Sequence, residues 1–207
     1  MWLYTVAKAI AKLPFPLFFR VTVSGKEHIP TDNSKGFILA ANHISALDPV
    51  VLAITLKQQV RFMAKEELFK NRFLGFLLKN IGTFAVARGK GDMSVIDHAG
   101  DVVKAGGVLG IFPEGTRSKT GELLKPKSGV ILIAANTGGD ILPVAITQMP
   151  KRKFRRKHIH LAFGEMIPNK ELAVDGPRNL AQIKSASKLL MARIADLRQV
   201  SLQAHKD

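Results

Sequence analysis

Beyond Arg20 the chain alternates short runs rich in β-branched and aromatic residues with longer segments of helical period. That alternation constrains the fold more than any other feature, because strands interleaved with helices bury their apolar faces by laying helices over a sheet. The fold class it predicts is α/β: a mixed, largely parallel central sheet flanked by helices. Candidate strands are "FRVTVSG", "GFILAAN", "RFMAK", "TFAVAR", "VLGIFPEG", "ILPVAITQ" and "HIHLAFGE". Helices fit "PVVLAITLK", "ELFKNRFLGFLLKN", "MSVIDHAGDVVKAGG", "KSGVILIAANTGG" and "NLAQIKSASKLLMARIADLRQ". Gly82, Gly106 and Gly138 each follow a periodic run, where a helix C-cap favours glycine. There is no internal repeat, and no linker is long enough to separate one domain from another. With 207 residues, 46% of them hydrophobic, the chain can bury a sizeable core.

The first twenty residues read differently. Trp2, Leu3, Val6, Ile10 and Leu13 share one helical face, with Lys8 and Lys12 on the other. A helix lying in a lipid interface has this pattern, and so does a helix packed on its own core. Phe15, Leu17, Phe18 and Phe19, set off by Pro14 and Pro16, favour the lipid. We therefore expect residues 1–20 to form an interfacial, membrane-anchoring segment and residues 21–207 the main folded domain. No apolar run reaches the roughly 18 residues of a spanning helix, and the interrupted N-terminus makes a poor secretory signal.

Lysine and arginine total 31 against 16 acidic residues, a net charge of +15. Such a surface favours anionic partners. The run "PKRKFRRKH", residues 150–158, concentrates that charge and reads as a hairpin tip or loop. Anionic lipid or plain solvation accounts for it, whereas a single aromatic, Phe154, supplies no platform for nucleic-acid bases. The absence of cysteine excludes disulfides, thiolate metal sites and cysteine nucleophiles.

In "AANHISALDPVVLAI", His43 and Asp48 stand five apart. Five residues along a helix turn through about 140°, and an odd offset in a strand points to opposite faces, so the two can meet only across a turn. The sequence supplies a turn: "GFILAAN" reads as a strand, and Asp48-Pro49 as a helix start with Asp48 at the N-cap and Pro49 at N1. An N-cap aspartate beside an ordinary loop histidine is the plain account of this spacing. The chemical account is a carboxylate that orients an imidazole and leaves its other nitrogen to take a proton. No G-x-S-x-G elbow or cysteine offers a covalent nucleophile, so the pair suits direct attack of a substrate hydroxyl on an activated carbonyl.

A second stretch, "GIFPEGTRSKTGELLKPKSG", strengthens the chemical account. A buried strand delivers Glu114, Gly115, Thr116, Arg117 and Ser118 in a row, followed by Lys125 and Lys127. Gly115 permits a tight turn, Arg117 presents a fork suited to phosphate, and Glu114 can accept from a substrate hydroxyl. Arg88, closing "GTFAVAR", is a second candidate phosphate ligand. His43, Arg88 and Glu114 to Arg117 all stand at predicted strand ends, where ligands of α/β sheets gather.

The ordered blocks "NHISALD", "GTFAVAR", "FPEGTRS" and "ILPVAI" resemble those of the glycerolipid acyltransferase family, most closely its 1-acyl-sn-glycerol-3-phosphate (lysophosphatidic acid) branch. The resemblance spans about residues 22–165. It implies a peripheral or monotopic enzyme on the cytoplasmic face of the cell membrane, in contact with anionic lipids. The implied reaction moves an acyl chain from acyl-CoA or acyl-carrier protein to the sn-2 hydroxyl, giving phosphatidic acid without cofactor or metal and without a nucleic-acid partner. On matching positions it makes His43 the base and Asp48 its partner, sets Glu114 on the acceptor's glycerol portion and Arg88 and Arg117 on its phosphate, and includes Gly115, Thr116 and Lys127, with Lys125 competing for the place of Lys127. The oxyanion donors it leaves open are backbone amides near the His43 turn and a lysine. Related members use glycerol 3-phosphate or another lysolipid as acceptor. One departure is Ala87, where the second block often carries an acidic residue before its arginine.

Overall fold

In the computed structural model the described residues are 2–13, 15–32, 35–86, 93–149, 156–176 and 179–204. The elements, in chain order, are α1 (Trp2–Lys12), α2 (Phe15–Phe18), β1 (Phe19–Ser24), β2 (Phe37–Ala41), α3 (Asp48–Thr55), β3 (Val60–Lys65), α4 (Glu67–Lys70), α5 (Arg72–Asn80), β4 (Phe84–Val86), α6 (Met93–Lys104), β5 (Val108–Ile111), α7 (Gly129–Thr137), β6 (Asp140–Gln148), β7 (Lys157–Phe163) and α8 (Leu180–Gln203). All seven strand candidates are strands. They form one sheet in the order β1-β7-β6-β2-β5-β3-β4, in which every neighbouring pair is parallel except β6 and β7.

Strand chemistry explains the order. β2 is "FILAA", apolar at every position and buried throughout, so it must be covered on both faces and sits centrally. β1 and β4, with partly exposed residues, lie at the edges. Alternate residues of β2 enter two cores. Ile38 and Ala40 pack with residues of α6, α7 and α8, while Phe37, Leu39 and Ala41 pack with Val51, Leu52 and Leu56 on the α3 side. Burying each large aliphatic is worth about 1.5–3 kcal/mol, enough to fix the register against a one-residue slip.

The helix that the sequence draws over residues 67–80 is two helices, interrupted at Asn71, whose backbone is extended at φ −73°, ψ 116°. The cap glycines adopt left-handed φ values of 83° (Gly82), 78° (Gly106) and 68° (Gly138). Asn179 caps α8 by accepting from Gln182 N at 3.2 Å. Gly110 in β5 has a different purpose: a Cβ there would lie 2.3 Å from the Phe62 ring, so glycine makes room for that phenylalanine beside the strand.

α1 docks on the α3–β3 connection through its polar side. Tyr4 is buried, its hydroxyl accepting from Val60 N at 3.3 Å, and Lys8 donates to Leu56 O at the end of α3. Burial first, and the neighbouring Lys12 charge second, pull the Lys8 pKa below its ordinary value. The opposite side remains in solvent, with Val6 41%, Ile10 63% and Leu13 79% exposed. Leu17 and Phe18 are exposed as well, and β1 already begins at Phe19. Among the described residues no helix is long and apolar enough to cross a membrane.

Candidate active site

β2 and β5 are parallel neighbours with Ala40 paired to Ile111, so the residues that follow them, 42–48 and 112–118, emerge side by side at the carboxyl end of the sheet. Asn42 fixes the first of these segments. Its fully buried side-chain amide donates to Ile146 O at 2.9 Å and accepts from Ile146 N at 2.7 Å, which continues the β2–β6 pairing by one side chain.

The turn that follows brings His43 to Asp48, with Nδ1 2.8 Å from Asp48 Oδ2. Asp48 is not the N-cap expected for α3. That place belongs to Leu47, and Asp48 is the first helical residue, with Pro49 second. The reason is that the carboxylate turns back into the loop, where the same Oδ2 also accepts from Ile44 N and Ser45 N at 2.7 Å each. Three donors on one buried oxygen satisfy the charge without a cation. With Nδ1 committed to Asp48, Nε2 has no partner among the described residues, and His43 keeps 15% of its side chain exposed. The imidazole stacks on Phe112 at 4.0 Å between centroids and 16° between planes, and Phe112 is backed by Phe62 at 5.9 Å. The sequence reading missed Phe112, although it stands directly before "PEGTRS"; only the β2–β5 pairing reveals what it faces.

Glu114 is 2% exposed. Its Oε1 accepts from His43 N and its Oε2 from Leu124 N, both at 3.1 Å. The resemblance implied the acceptor's glycerol as its partner; in the structure main-chain amides occupy both oxygens. Burial raises its pKa above the ordinary carboxylate value, and those two amide bonds oppose the shift. Glu114 and Asp48 together engage three successive amides, those of His43, Ile44 and Ser45. These three amides are therefore already engaged by buried carboxylates.

The turn after Glu114 is open. Gly115 adopts φ 65°, and Thr116 and Arg117 are exposed. Among the described residues their N–H groups have no acceptor. Lys127 is anchored by its own N–H to Pro113 O at 2.8 Å, and its side chain crosses Gly115, where a Cβ would come 2.9 Å from Cδ and 3.4 Å from Nζ. The structure thus brings Lys127 to this turn. The turn thus carries two successive amides with no acceptor among the described residues, beside the Lys127 side chain. Arg88 and most of the basic run, residues 150–155, lie outside the described residues; Arg156, at its end, donates to Pro16 O at 2.6 Å. On the other side of the His43 turn, Ile44, Leu47 and Asp48 share a cleft with Phe19, Ile159 and Lys157.

The His43–Asp48 contact and the Gly115–Arg117 turn thus stand at the ends of neighbouring strands, tied together through residues 43, 114 and 118. The family model "Acyltransferase" matches residues 20–147, more than half of the chain and both of these segments. The chain belongs to the acyltransferase family. This acyltransferase is 35% identical over 157 residues to a 1-acyl-sn-glycerol-3-phosphate acyltransferase of Bacillus subtilis (strain 168), covering 74% of this chain and 76% of that one. A protein of the same name from Streptococcus pneumoniae is 29% identical over 196 residues, 90% of this chain and 71% of that one. Among solved structures, the 1-acyl-sn-glycerophosphate (LPA) acyltransferase PlsC from Thermotoga maritima superimposes with a TM-score of 0.72 at 26% identity, over 94% of this chain and 79% of that one. The acyltransferase is thus an α/β enzyme of the expected class, with the mostly parallel seven-stranded sheet in place.

Proposed function

We propose that this acyltransferase acylates the sn-2 hydroxyl of 1-acyl-sn-glycerol 3-phosphate to give phosphatidic acid, drawing the acyl group from acyl-CoA or acyl-carrier protein. The observation that carries the proposal is the His43–Asp48 contact of 2.8 Å, with Nε2 unpartnered among the described residues, in a turn hydrogen-bonded to Glu114 and Ser118 on either side of Gly115–Arg117. His43 Nε2 takes the proton of the acceptor hydroxyl as its oxygen attacks the thioester carbonyl. The C–O bond forms and the C–S bond breaks, and the proton passes from the imidazolium to the departing thiolate. Asp48 steadies the imidazolium in between. Arg117, Lys127 and the amides of Thr116 and Arg117 hold the acceptor's phosphate, with Arg88 as a further ligand. Such positioning supplies much of the rate, because the thioester already carries a good leaving group.

The chemistry takes place at a lipid surface. The exposed side of α1 together with Leu17 and Phe18 enters the cytoplasmic face of the cell membrane, and the protein's positive charge is drawn to anionic lipids there. No step above requires a metal ion.

Purified protein assayed for thiol release against a panel of lysolipids, with each thioester donor in turn, tests the reading. Lysophosphatidate is the expected acceptor, the His43→Ala variant is expected to be inactive though folded, and Arg117→Ala is expected to raise the acceptor KM. Transfer to a neutral lysolipid in preference to lysophosphatidate would remove the phosphate from the proposal, and near-normal turnover by His43→Ala would remove the base. Glycerol 3-phosphate as the preferred acceptor would keep the mechanism and move the enzyme to a neighbouring branch.

A further inference from the structure

Three separate chain segments have to be held at fixed distances for the proposed site to work: the turn bearing His43, the turn bearing Arg117, and the returning loop bearing Lys127. A single buried carboxylate touches or closes all three. Glu114 leads directly into the Arg117 turn, its Oε1 accepts from His43 N, and its Oε2 accepts from Leu124 N on the returning loop, each at 3.1 Å. Two main-chain bonds run beside these contacts. Ser118 N donates to His43 O at 2.8 Å, so residue 43 is held at both its amide and its carbonyl by the 114–118 segment. Lys127 N donates to Pro113 O at 2.8 Å and closes the returning loop on itself.

The geometry points to Glu114 as a positioning residue: by accepting the amides of His43 and Leu124, it sets the separation between the base and the phosphate-binding turn, and it does not bind the acceptor. The inference rests on the reading of His43 as the base. A substrate ligand has to present a lone pair to incoming solvent or ligand. At 2% exposure, with one amide already on each oxygen, Glu114 offers an incoming ligand almost no surface. The need for a carboxylate follows from the donors it meets. Two N–H groups converge on it from two segments, and only a side chain with two acceptor oxygens satisfies both. Glutamine would oppose one N–H with its own NH₂ group. Aspartate, shorter by one methylene, could not span both segments.

The test compares Glu114→Gln and Glu114→Asp with the wild type and with Arg117→Ala. A positioning residue acts on kcat and on the state of His43, whereas an acceptor ligand acts on acceptor affinity. Displacing reacting groups by about an ångström costs roughly 10²-fold in rate, so both Glu114 variants should lose kcat on that scale. Their acceptor affinity, measured calorimetrically with lysophosphatidate, should remain within about twofold, a loss far below that of a hydrogen-bonded ligand. The His43 Nδ1–H resonance of ¹⁵N-histidine-labelled protein should shift or broaden in both variants and remain unchanged in Arg117→Ala. Loss of acceptor affinity in the Glu114 variants with an unperturbed His43 resonance would overturn the inference. If one variant fails to fold, the other carries the same comparison. Should the wild type prove inert toward every lysolipid, the functional reading fails by itself; a His43 resonance indifferent to both Glu114 substitutions would then refute the positioning role separately.

Discussion

Replacing Asp48 by Asn keeps the shape of the buried turn and removes only its charge, which makes it a sharp probe of the His43–Asp48 pair. Asp48 Oδ2 holds three donors, His43 Nδ1 at 2.8 Å and the amides of Ile44 and Ser45 at 2.7 Å, and the residue is 1% exposed. An asparagine oxygen turned the same way can still accept all three. Hydrogen bonds to charged groups are worth about 1.5–3 kcal/mol against about 1 kcal/mol for neutral ones, so the two amide bonds together lose ~2 kcal/mol of stability. For a chain of this length that lowers Tm by roughly 4–8 °C. The catalytic loss is larger. When His43 takes the substrate proton, its imidazolium stands beside a neutral amide instead of a carboxylate, and removing one member of a buried pair costs about 3–5 kcal/mol. Allowing ~3–4 kcal/mol of this to fall on the barrier, at 1.36 kcal/mol per decade, kcat drops roughly 10²–10³-fold. The assay is steady-state thiol release at saturating donor and acceptor, with a melting curve on the same preparation. Both KM values should change little, since the Asp48 carboxylate is directed at His43 and the turn amides and is almost fully buried. A folded variant whose kcat stays within about threefold of the wild type, a barrier change of only ~0.6 kcal/mol, would refute the idea that an imidazolium forms against Asp48.

Gly115→Ala must place a Cβ at φ 65° and 2.9 Å from Lys127 Cδ; it should cost about 1–2 kcal/mol of stability and raise the acceptor KM, read from melting and from acceptor titrations. Asn42→Ala orphans the buried N–H and C=O of Ile146 and should destabilise by about 3 kcal/mol, or roughly 6–12 °C in Tm, as differential scanning calorimetry would record. The raised pKa of Glu114 gives a pH test with a definite sign. The folded state binds this proton more tightly than the unfolded chain, so the stability it contributes is complete below the unfolded value of about 4.3 and is lost as pH rises through the higher folded value; urea unfolding across that window should slope downward, and Glu114→Gln should flatten the slope. Serine at Ile10, Leu13, Leu17 and Phe18 should release the protein from anionic vesicles in sedimentation while leaving its melting temperature nearly unchanged, because all four side chains are exposed.

The strands were legible because each is a short apolar run with turn chemistry at its ends, and burial on two faces is visible in a segment such as "FILAA". The break at Asn71 was not, since the amphipathic pattern continues across it. At the site, the spacing allowed His43 and Asp48 to meet across a turn, and the downstream "FPEGTRS" gave the reason to expect that they do. The destination of the Asp48 carboxylate was not legible: Asp-Pro at a helix start reads as a cap, and only the folded loop offers it three better donors. The contacts of Glu114 and Phe112 were beyond reach for a related reason. Their partners in the His43 turn lie about seventy positions earlier, and a sequence signals such contacts only through the order of strands, which local pattern does not encode.

Gly110 ties the sheet to the chemistry in a way that bears on attempts to stabilise this enzyme. Glycine is a poor strand residue, and alanine or valine at this position of β5 would be the obvious improvement by propensity. Yet the space it leaves is filled by Phe62, which backs Phe112, which in turn backs the His43 imidazole. Any side chain added at 110 pushes on that column of rings from its far end. A screen that selects variants for heat resistance and one that selects for turnover should therefore diverge at this residue. The empty space within the strand acts as a tolerance allowance, transmitted through two phenylalanines to the His43 imidazole.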